Sequence, residues 1–323
     1  MDRIAVLTSG GDNPGLNPCI RAVVRMGLHL GQRVMGIYRG YAGLIGGEVK
    51  ELDARSVGGI LGRGGTILGT ARAPEFRELQ GRKKALRMLN RFDIDGLVVI
   101  GGNGSLTGAL ELHRMGFPVM GIPSTIDNDI NGTDIAIGVD TALNTILDAI
   151  DKIKDTASSH NRAFLIETMG RNSGYLALAS GLAGGAELVL CPEIDTPLEE
   201  IIQVVENSYI RGKAHAIIVA AEGWELGTDA LADVLSERKE ELGFSVRVTR
   251  LGHVQRGGPP MAFDRILATR LGAAAVRELV SGTTGQMVGW IKNLPTLTPL
   301  EEAVAYQKEI DPELYELAQI MDK

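Results

Sequence analysis

The sequence predicts an α/β fold built on mainly parallel sheets, and three observations carry that prediction. Short runs rich in Val and Ile alternate with longer amphipathic stretches, as strands and crossover helices do in a parallel sheet. The runs are continuously apolar, which fits strands buried on both faces. The chain also holds 42 glycines without any low-complexity tract, a sign of repeated tight turns and close backbone approach.

Strands are expected at IAVLTS near residue 4, VMGIY near 34, GLVVIGG near 96, FPVMGIP near 117 and AFLIET near 163. Three more are expected at AIIVAAEG near 216, VRVTRLG near 246 and MVGWI near 287. Helices are expected near 77–91, 104–115, 198–211, 229–242 and 262–281. The clearest helix runs from Thr141 to Thr156, where Leu143, Ile146, Leu147, Ile150 and Ile153 recur at helical spacing. Asp140 is placed to cap it, and Asp148 with Lys152 makes an i,i+4 pair. Two sheet units with a cleft between them are expected, although no linker or repeat marks a boundary.

Composition narrows the function. Of 323 residues, 44% are hydrophobic, 23% charged and only 4% aromatic, so a globular core must be built mostly from aliphatic side chains. The net charge of −7 argues against general affinity for nucleic acid or anionic membrane. Cys19 and Cys191 form neither a CxxC pair nor a disulfide framework, which suits a reducing cytoplasm. The start, MDRIAVLTSGG, is a short strand running into glycines rather than a signal peptide. No apolar run approaches the roughly 20 residues of a membrane helix.

Four segments carry chemistry. Thr8-Ser9-Gly10-Gly11-Asp12-Asn13-Pro14-Gly15 follows the first strand; its N–H groups and the next helix N-terminus can cradle phosphate. An ordinary tight turn explains it equally well, and it is neither GxGxxG nor a P-loop. Ile100-Gly101-Gly102-Asn103-Gly104-Ser105 is a second such turn, and two at strand ends favour a phosphate site. In Pro123-Ser124-Thr125-Ile126-Asp127-Asn128-Asp129, an extended backbone would turn Thr125, Asp127 and Asp129 to one side. Carboxylates there can hold Mg²⁺ or take a proton from an attacking alcohol, though an Asx-rich turn is the plain alternative. Last come Arg72, Arg162, Arg171, Arg247 and Arg256 with His253, residue types suited to phosphate.

Together LTSGGDNPGLN, RGGTILGTAR, VVIGGNGS, PSTIDNDI, IGVDTALNT, DTASSHNR, MGRNSGY and LGHVQRGG resemble, in order, the motifs of bacterial ATP-dependent 6-phosphofructokinases. The similarity runs from residue 1 to about 290. It implies two α/β sandwich domains, Rossmann-like, in the phosphofructokinase fold. The larger, ATP-binding domain would hold 1–138 and 255–305, and the sugar-phosphate domain 139–254 and 306–323. The implied reaction moves the γ-phosphoryl of ATP, with Mg²⁺, to the 1-hydroxyl of fructose 6-phosphate.

By that resemblance Asp127 is the base, Thr125 and Arg171 steady the phosphoryl group, and Asp129 lies near the metal. ATP would lie against Gly11, Tyr41, Arg72, Arg77, Gly102, Asn103, Gly104, Ser105 and Gly108. The sugar phosphate would meet Arg162, Met169, Glu222, Arg247, His253 and Arg256, with Arg162 and Arg247 supplied by a neighbouring subunit of a homotetramer. An ADP or phosphoenolpyruvate effector would meet Arg21, Arg25, Lys154, Glu187, Arg211, Lys213 and His215.

The chain departs from the family pattern in places. Asn103 stands where a metal-holding aspartate is usual, which predicts weaker Mg²⁺–ATP binding and slower turnover. Ser124 replaces a glycine and puts a small side chain close to the phosphates, while Asn13 and Pro18 are milder oddities. In the effector region Ala54 replaces an arginine beside Arg55, and Gly58-Gly59 replaces a polar pair. Asn103 motivates one alternative, a regulatory paralogue with little catalysis. A pyrophosphate-dependent enzyme is the other, disfavoured because such members carry an aspartate at the position of Gly104 and a lysine at that of Ser124.

Overall fold

The computed structural model describes residues 1–321. The first stretch of chain forms β1 (Arg3–Ser9), α1 (Leu16–His29), β2 (Arg33–Ile37), α2 (Gly40–Gly46), β3 (Val49–Leu52), α3 (Leu79–Arg91), β4 (Gly96–Gly101), α4 (Asn103–Arg114) and β5 (Val119–Pro123). Next come α5 (Val139–His160), β6 (Arg162–Thr168), α6 (Tyr175–Gly184), β7 (Leu188–Leu190), α7 (Leu198–Ile210), β8 (His215–Ala221), α8 (Thr228–Glu237), α9 (Lys239–Leu242) and β9 (Ser245–Arg250). The last part holds α10 (Ala262–Ser281), β10 (Gln286–Ile291), β11 (Leu294–Pro299), α11 (Leu300–Ala303) and α12 (Pro312–Met321). All eight expected strands are present; β3, β7 and β11 are additional. The helix expected over 229–242 is interrupted at Arg238, whose backbone (φ −97°, ψ 17°) leaves the helical region.

Two compact units result. The first holds Met1–Ile126, Ile130–Thr141 and Arg256–Lys308; the second holds Asp127–Asp129, Ala142–Gln255 and the chain from Glu309 onward. The first unit is a seven-stranded sheet in the order β11-β10-β5-β4-β1-β2-β3, parallel except for β3 and β11 at its edges. Period-two alternation sends Ile4, Val6, Val98 and Ile100 to one face, against Cys19, Ile20 and Val23 of α1 and Leu267 and Leu271 of α10. Ala5, Leu7, Leu97 and Val99 go to the other, against Leu106, Ala109 and Leu112 of α4. The continuous apolar runs thus have the cause inferred for them: helices cover both faces.

The second unit is a four-stranded, wholly parallel sheet in the order β7-β8-β6-β9. Leu165, Ile218 and Val246 face a layer that includes Ile201 and Val205 of α7 and Leu231 of α8.

Asp140 does not cap α5 as expected. Gly138, at φ 103°, turns the chain so that the helix begins at Val139, which leaves Asp140 inside its first turn. The cap comes from α10 instead. Asp264, fully buried, accepts hydrogen bonds from the N–H groups of Gly138 (2.7 Å) and Thr141 (2.8 Å) and from the Thr141 hydroxyl (2.6 Å). Burial pushes its pKa up to about 6, with these hydrogen bonds pulling the other way. The expected Asp148–Lys152 pair is present.

Candidate active site

In the first unit the sheet order reverses at β1 and β4, with β2 and β3 on one side and β5, β10 and β11 on the other. Such a switch point is where open parallel sheets take ligands, beyond the carboxyl ends of the strands. Ser9 and Gly101 are register partners there, so the two glycine turns stand side by side. Each leads into a helix, α1 or α4, whose first N–H groups lack intrahelical partners and carry the positive end of the dipole.

The first turn needs its glycines: Gly10 and Gly15 have φ of 89° and 123°, and a Cβ on Gly15 would lie 2.4 Å from Ile137 Cγ2. Arg256 Nη1 lies 2.7 Å from where a Cβ on Gly11 would stand, and it donates to Asp12 O at 3.4 Å. The loop that carries Arg72 is tied to this turn, since Thr70 donates to Gly10 O at 2.7 Å. Arg72 and Arg77 are exposed.

Gly102 precedes α4, and Asn103 and Gly104 open it. A Cβ on Gly104 would meet nothing within 4 Å, whereas one on Gly108 would meet the Tyr41 ring at 2.8 Å. Tyr41 donates to Ser105 O at 2.7 Å and stacks on Phe76 with ring centroids 3.9 Å apart. Tyr41, Ser105 and Gly108 are thus brought together, as are Gly11 and Arg256.

The segment after β5 differs from expectation. It is not extended: the chain bends at Ile126–Asp127, and Asn128 lies in the left-handed region with φ 50°. The alternation that would turn Thr125, Asp127 and Asp129 to one side therefore stops at Thr125, whose N–H bonds Ile137 O at 3.1 Å. Asp127 is buried and Asp129 half-buried. Ser124 also differs, because its side chain points into the protein. Its hydroxyl lies 3.0 Å from Asn13 Nδ2 and 3.1 Å from Asn13 Oδ1.

In the second unit Arg171 sits in a tight turn at φ 53°, after Gly170 at φ 139°. Its N–H donates to Glu222 Oε1 at 2.9 Å, and its Nε lies 3.8 Å from Asp127 Oδ2. The Asp127 side chain is 6% exposed and that of Arg171 71%, so a buried carboxylate faces a solvated guanidinium. Gln255, fully buried, accepts from Met169 N–H at 3.1 Å and donates to Gly252 O at 3.0 Å, which sets the 3-10 turn of exposed His253 beside Met169.

Arg162 and Arg247 are not part of this cluster. Arg162 opens β6 and Arg247 pairs in register with Phe164, whereas Met169 follows the far end of the same strand. Seven residues of strand span about 20 Å.

Of the expected effector residues, Lys213 Nζ lies 3.2 Å from Glu187 Oε1, Lys154 donates to Gly184 O at 2.6 Å, and His215 Nδ1 lies 2.8 Å from the Ser158 hydroxyl. A small cavity of about 110 Å³ is lined by Gly185, Glu187 and Lys213 together with Ala318 and Met321 of α12. Arg211 is exposed on the same unit, while Arg21 and Arg25 lie on α1 of the first.

The phosphofructokinase family model matches residues 3–279. The chain belongs to the phosphofructokinase family. It is 53% identical over 319 residues to an ATP-dependent 6-phosphofructokinase of Halalkalibacterium halodurans and 51% identical to one of Natranaerobius thermophilus, covering 99% of this chain and of each relative. It superposes on phosphofructokinase from Saccharomyces cerevisiae with a TM-score of 0.87 and 39% identity; 94% of this chain is covered and 45% of the yeast chain, so this chain spans less than half of that one.

Beyond the residues carried over from the phosphofructokinase family, the structure adds several that sequence reasoning missed. Phe76 holds Tyr41, Gln255 ties Met169 to the His253 turn, and Asp264 anchors the start of α5. Asp264 had a signal, a lone acid in the apolar run AFDRILATRLG; Phe76 had none beyond its place next to Arg77. Among the described residues no group of three or more His, Cys, Asp or Glu could hold a metal ion, and no helix is long and apolar enough to cross a membrane.

Proposed function

We infer that this chain is a kinase transferring the γ-phosphoryl of ATP to the 1-hydroxyl of fructose 6-phosphate, giving fructose 1,6-bisphosphate. The observation that carries the residue assignment is the buried Asp127 carboxylate facing Arg171, whose own backbone is pinned by Glu222. Asp127 acts as the base that accepts the sugar hydroxyl proton. Arg171 and Thr125 steady the transferring group, and the two glycine turns with Arg72 and Arg256 neutralise phosphate charge. Tyr41, Arg77 and Gly108 hold the nucleoside side of ATP, while Met169, Glu222 and His253 orient the sugar phosphate.

The donors present suit Mg²⁺. Asp129 offers a carboxylate and Asn103 an amide oxygen, and substrate phosphates would supply further oxygen ligands. When bound, the ion neutralises phosphate charge. Asn103 supplies no charge to it, which lowers affinity and turnover.

The separation of Arg162 and Arg247 from Met169 along β6 supports a site completed by a second subunit of a homotetramer. The Glu187–Lys213–His215 end of the second unit is the candidate ADP or phosphoenolpyruvate site. A cytoplasmic setting suits two buried free thiols. The relatives favour neither the non-catalytic nor the pyrophosphate-dependent alternative.

The test is product formation from fructose 6-phosphate and Mg²⁺ with ATP or pyrophosphate in parallel. Turnover with ATP alone is expected. Turnover with pyrophosphate alone, or with neither donor, would overturn the proposal.

A further inference from the structure

The turn after β1 and the segment after β5 belong to strands that are not neighbours, since β4 lies between them. At strand spacing their ends are about 9.5 Å apart. β4 ends there at Gly101 and is followed by Gly102, and neither brings a side chain into the gap. Ser124 N–H bonds Gly101 O at 3.0 Å, which fastens the β5 segment to β4 but not to the β1 turn. The longer reach is made by side chains: the Asn13 amide meets the Ser124 hydroxyl at 3.0 and 3.1 Å, with relative exposures of 0% and 1%. Asn13 is packed against Gly138 as well, because a Cβ there would lie 2.6 Å from Asn13 Oδ1.

A polar pair shut away from water is held together more firmly than a solvated one, and this one is satisfied within itself. Thr125 follows Ser124 directly, Asp127 stands three residues on, and Gly11 and Asp12 immediately precede Asn13. We propose that Asn13 and Ser124 are positioning residues, a buried clasp across the end of β4 that holds the phosphate turn and the base-bearing segment in register for phosphoryl transfer. The proposal rests on the kinase function inferred above. Phosphoryl transfer depends chiefly on placement, and a shift of about 1 Å can cost roughly a hundredfold in rate. Buried Ile126 anchors the segment after β5 on its own account, so loosening the clasp acts on the placement of that segment against the β1 turn before it acts on binding.

The experiment compares the native chain with Asn13→Ala, Ser124→Ala and the double variant, reading kcat, both KM values and thermal midpoints. Each single variant is expected to lose about tenfold in kcat with the KM for fructose 6-phosphate within about twofold. The double variant is expected to fall no further than the worse single one, as partners in one contact do. Ser124→Gly also removes the hydroxyl and is expected to show the same kcat loss, so the test survives if Ser124→Ala does not fold. An active native chain whose variants keep native kcat overturns the clasp alone. So does a loss confined to KM, or a double variant whose loss is the product of the two singles. A native chain silent with ATP overturns the functional proposal and the clasp with it.

Discussion

The candidate site residues of the first unit are mostly glycines and backbone N–H groups, and those of the second are arginine and histidine on loops. At Gly10, Gly15 and Gly108 there is no room for a side chain or the backbone turns left-handed. Around Arg171 and His253, by contrast, long exposed side chains depend on partners, exposed Glu222 and buried Gln255, to hold their backbones. Backbone sites tolerate almost no substitution at the turn itself but carry little side-chain entropy. Side-chain sites tolerate change yet need a second layer of residues to be accurate.

The comparison can be broken most sharply at Asp127, whose carboxylate no backbone group replaces. Asp127→Asn is expected to lower kcat by about 10³-fold with both KM values little changed. Steady-state kinetics decide, and a loss below about tenfold would remove Asp127 as the base.

Asp264 is next. Its folded pKa of about 6 stands above the ordinary 3.8, so the folded chain binds this proton more tightly than the unfolded one. Its contribution therefore rises as pH falls through 6 towards 4, and above 6 the cost of the buried charge is fully present, about 3 kcal/mol by linkage. Asp264→Asn removes that dependence. The stability gap between native and variant should widen by about 1 kcal/mol from pH 7 to pH 5 in denaturant melts. A gap that narrows would contradict the raised pKa.

Two glycines of one helix sharpen the contrast. Gly108→Ala drives a methyl against a Tyr41 ring already stacked on Phe76 and should cost about 1–3 kcal/mol of stability. Gly104→Ala meets open space, so the thermal midpoint should hold while the KM for ATP rises about tenfold if phosphate fills that space. The smallest effect is expected at Asn103→Asp, which should raise turnover about threefold and lower the Mg²⁺ needed for half-maximal rate, since a hard cation prefers a carboxylate. An unchanged Mg²⁺ requirement would show that Asn103 does not limit the reaction.

Much of this was legible because parallel strands buried on both faces write themselves as apolar runs ending in glycine. The Gly10 and Gly101 turns could be found that way, and so could the strands they end. Their convergence depends on the strand order, which no local pattern encodes. The bend at Asn128 was missed because alternation was carried past the end of a strand, into a segment where Asn tolerates left-handed backbone. Asp140 was chosen as the cap because local spacing cannot see a carboxylate 124 positions further on, at Asp264. The inward turn of Ser124 likewise depends on a partner, Asn13, that lies distant in the chain.

That the first unit closes with β10 and α10 bears on the protein's birth. On the ribosome, β1, β4 and β5 emerge well before Met287, which pairs with Gly121, and before Leu267 and Leu271, which cover the α1 face. Apart from Asp127–Asp129 and the closing tail, the second unit is one unbroken stretch, Ala142–Gln255, and can close while the first still waits. A nascent chain stalled near residue 255 would present a half-covered sheet with β5 as an open edge, the state in which this protein is most exposed to chaperones and to aggregation.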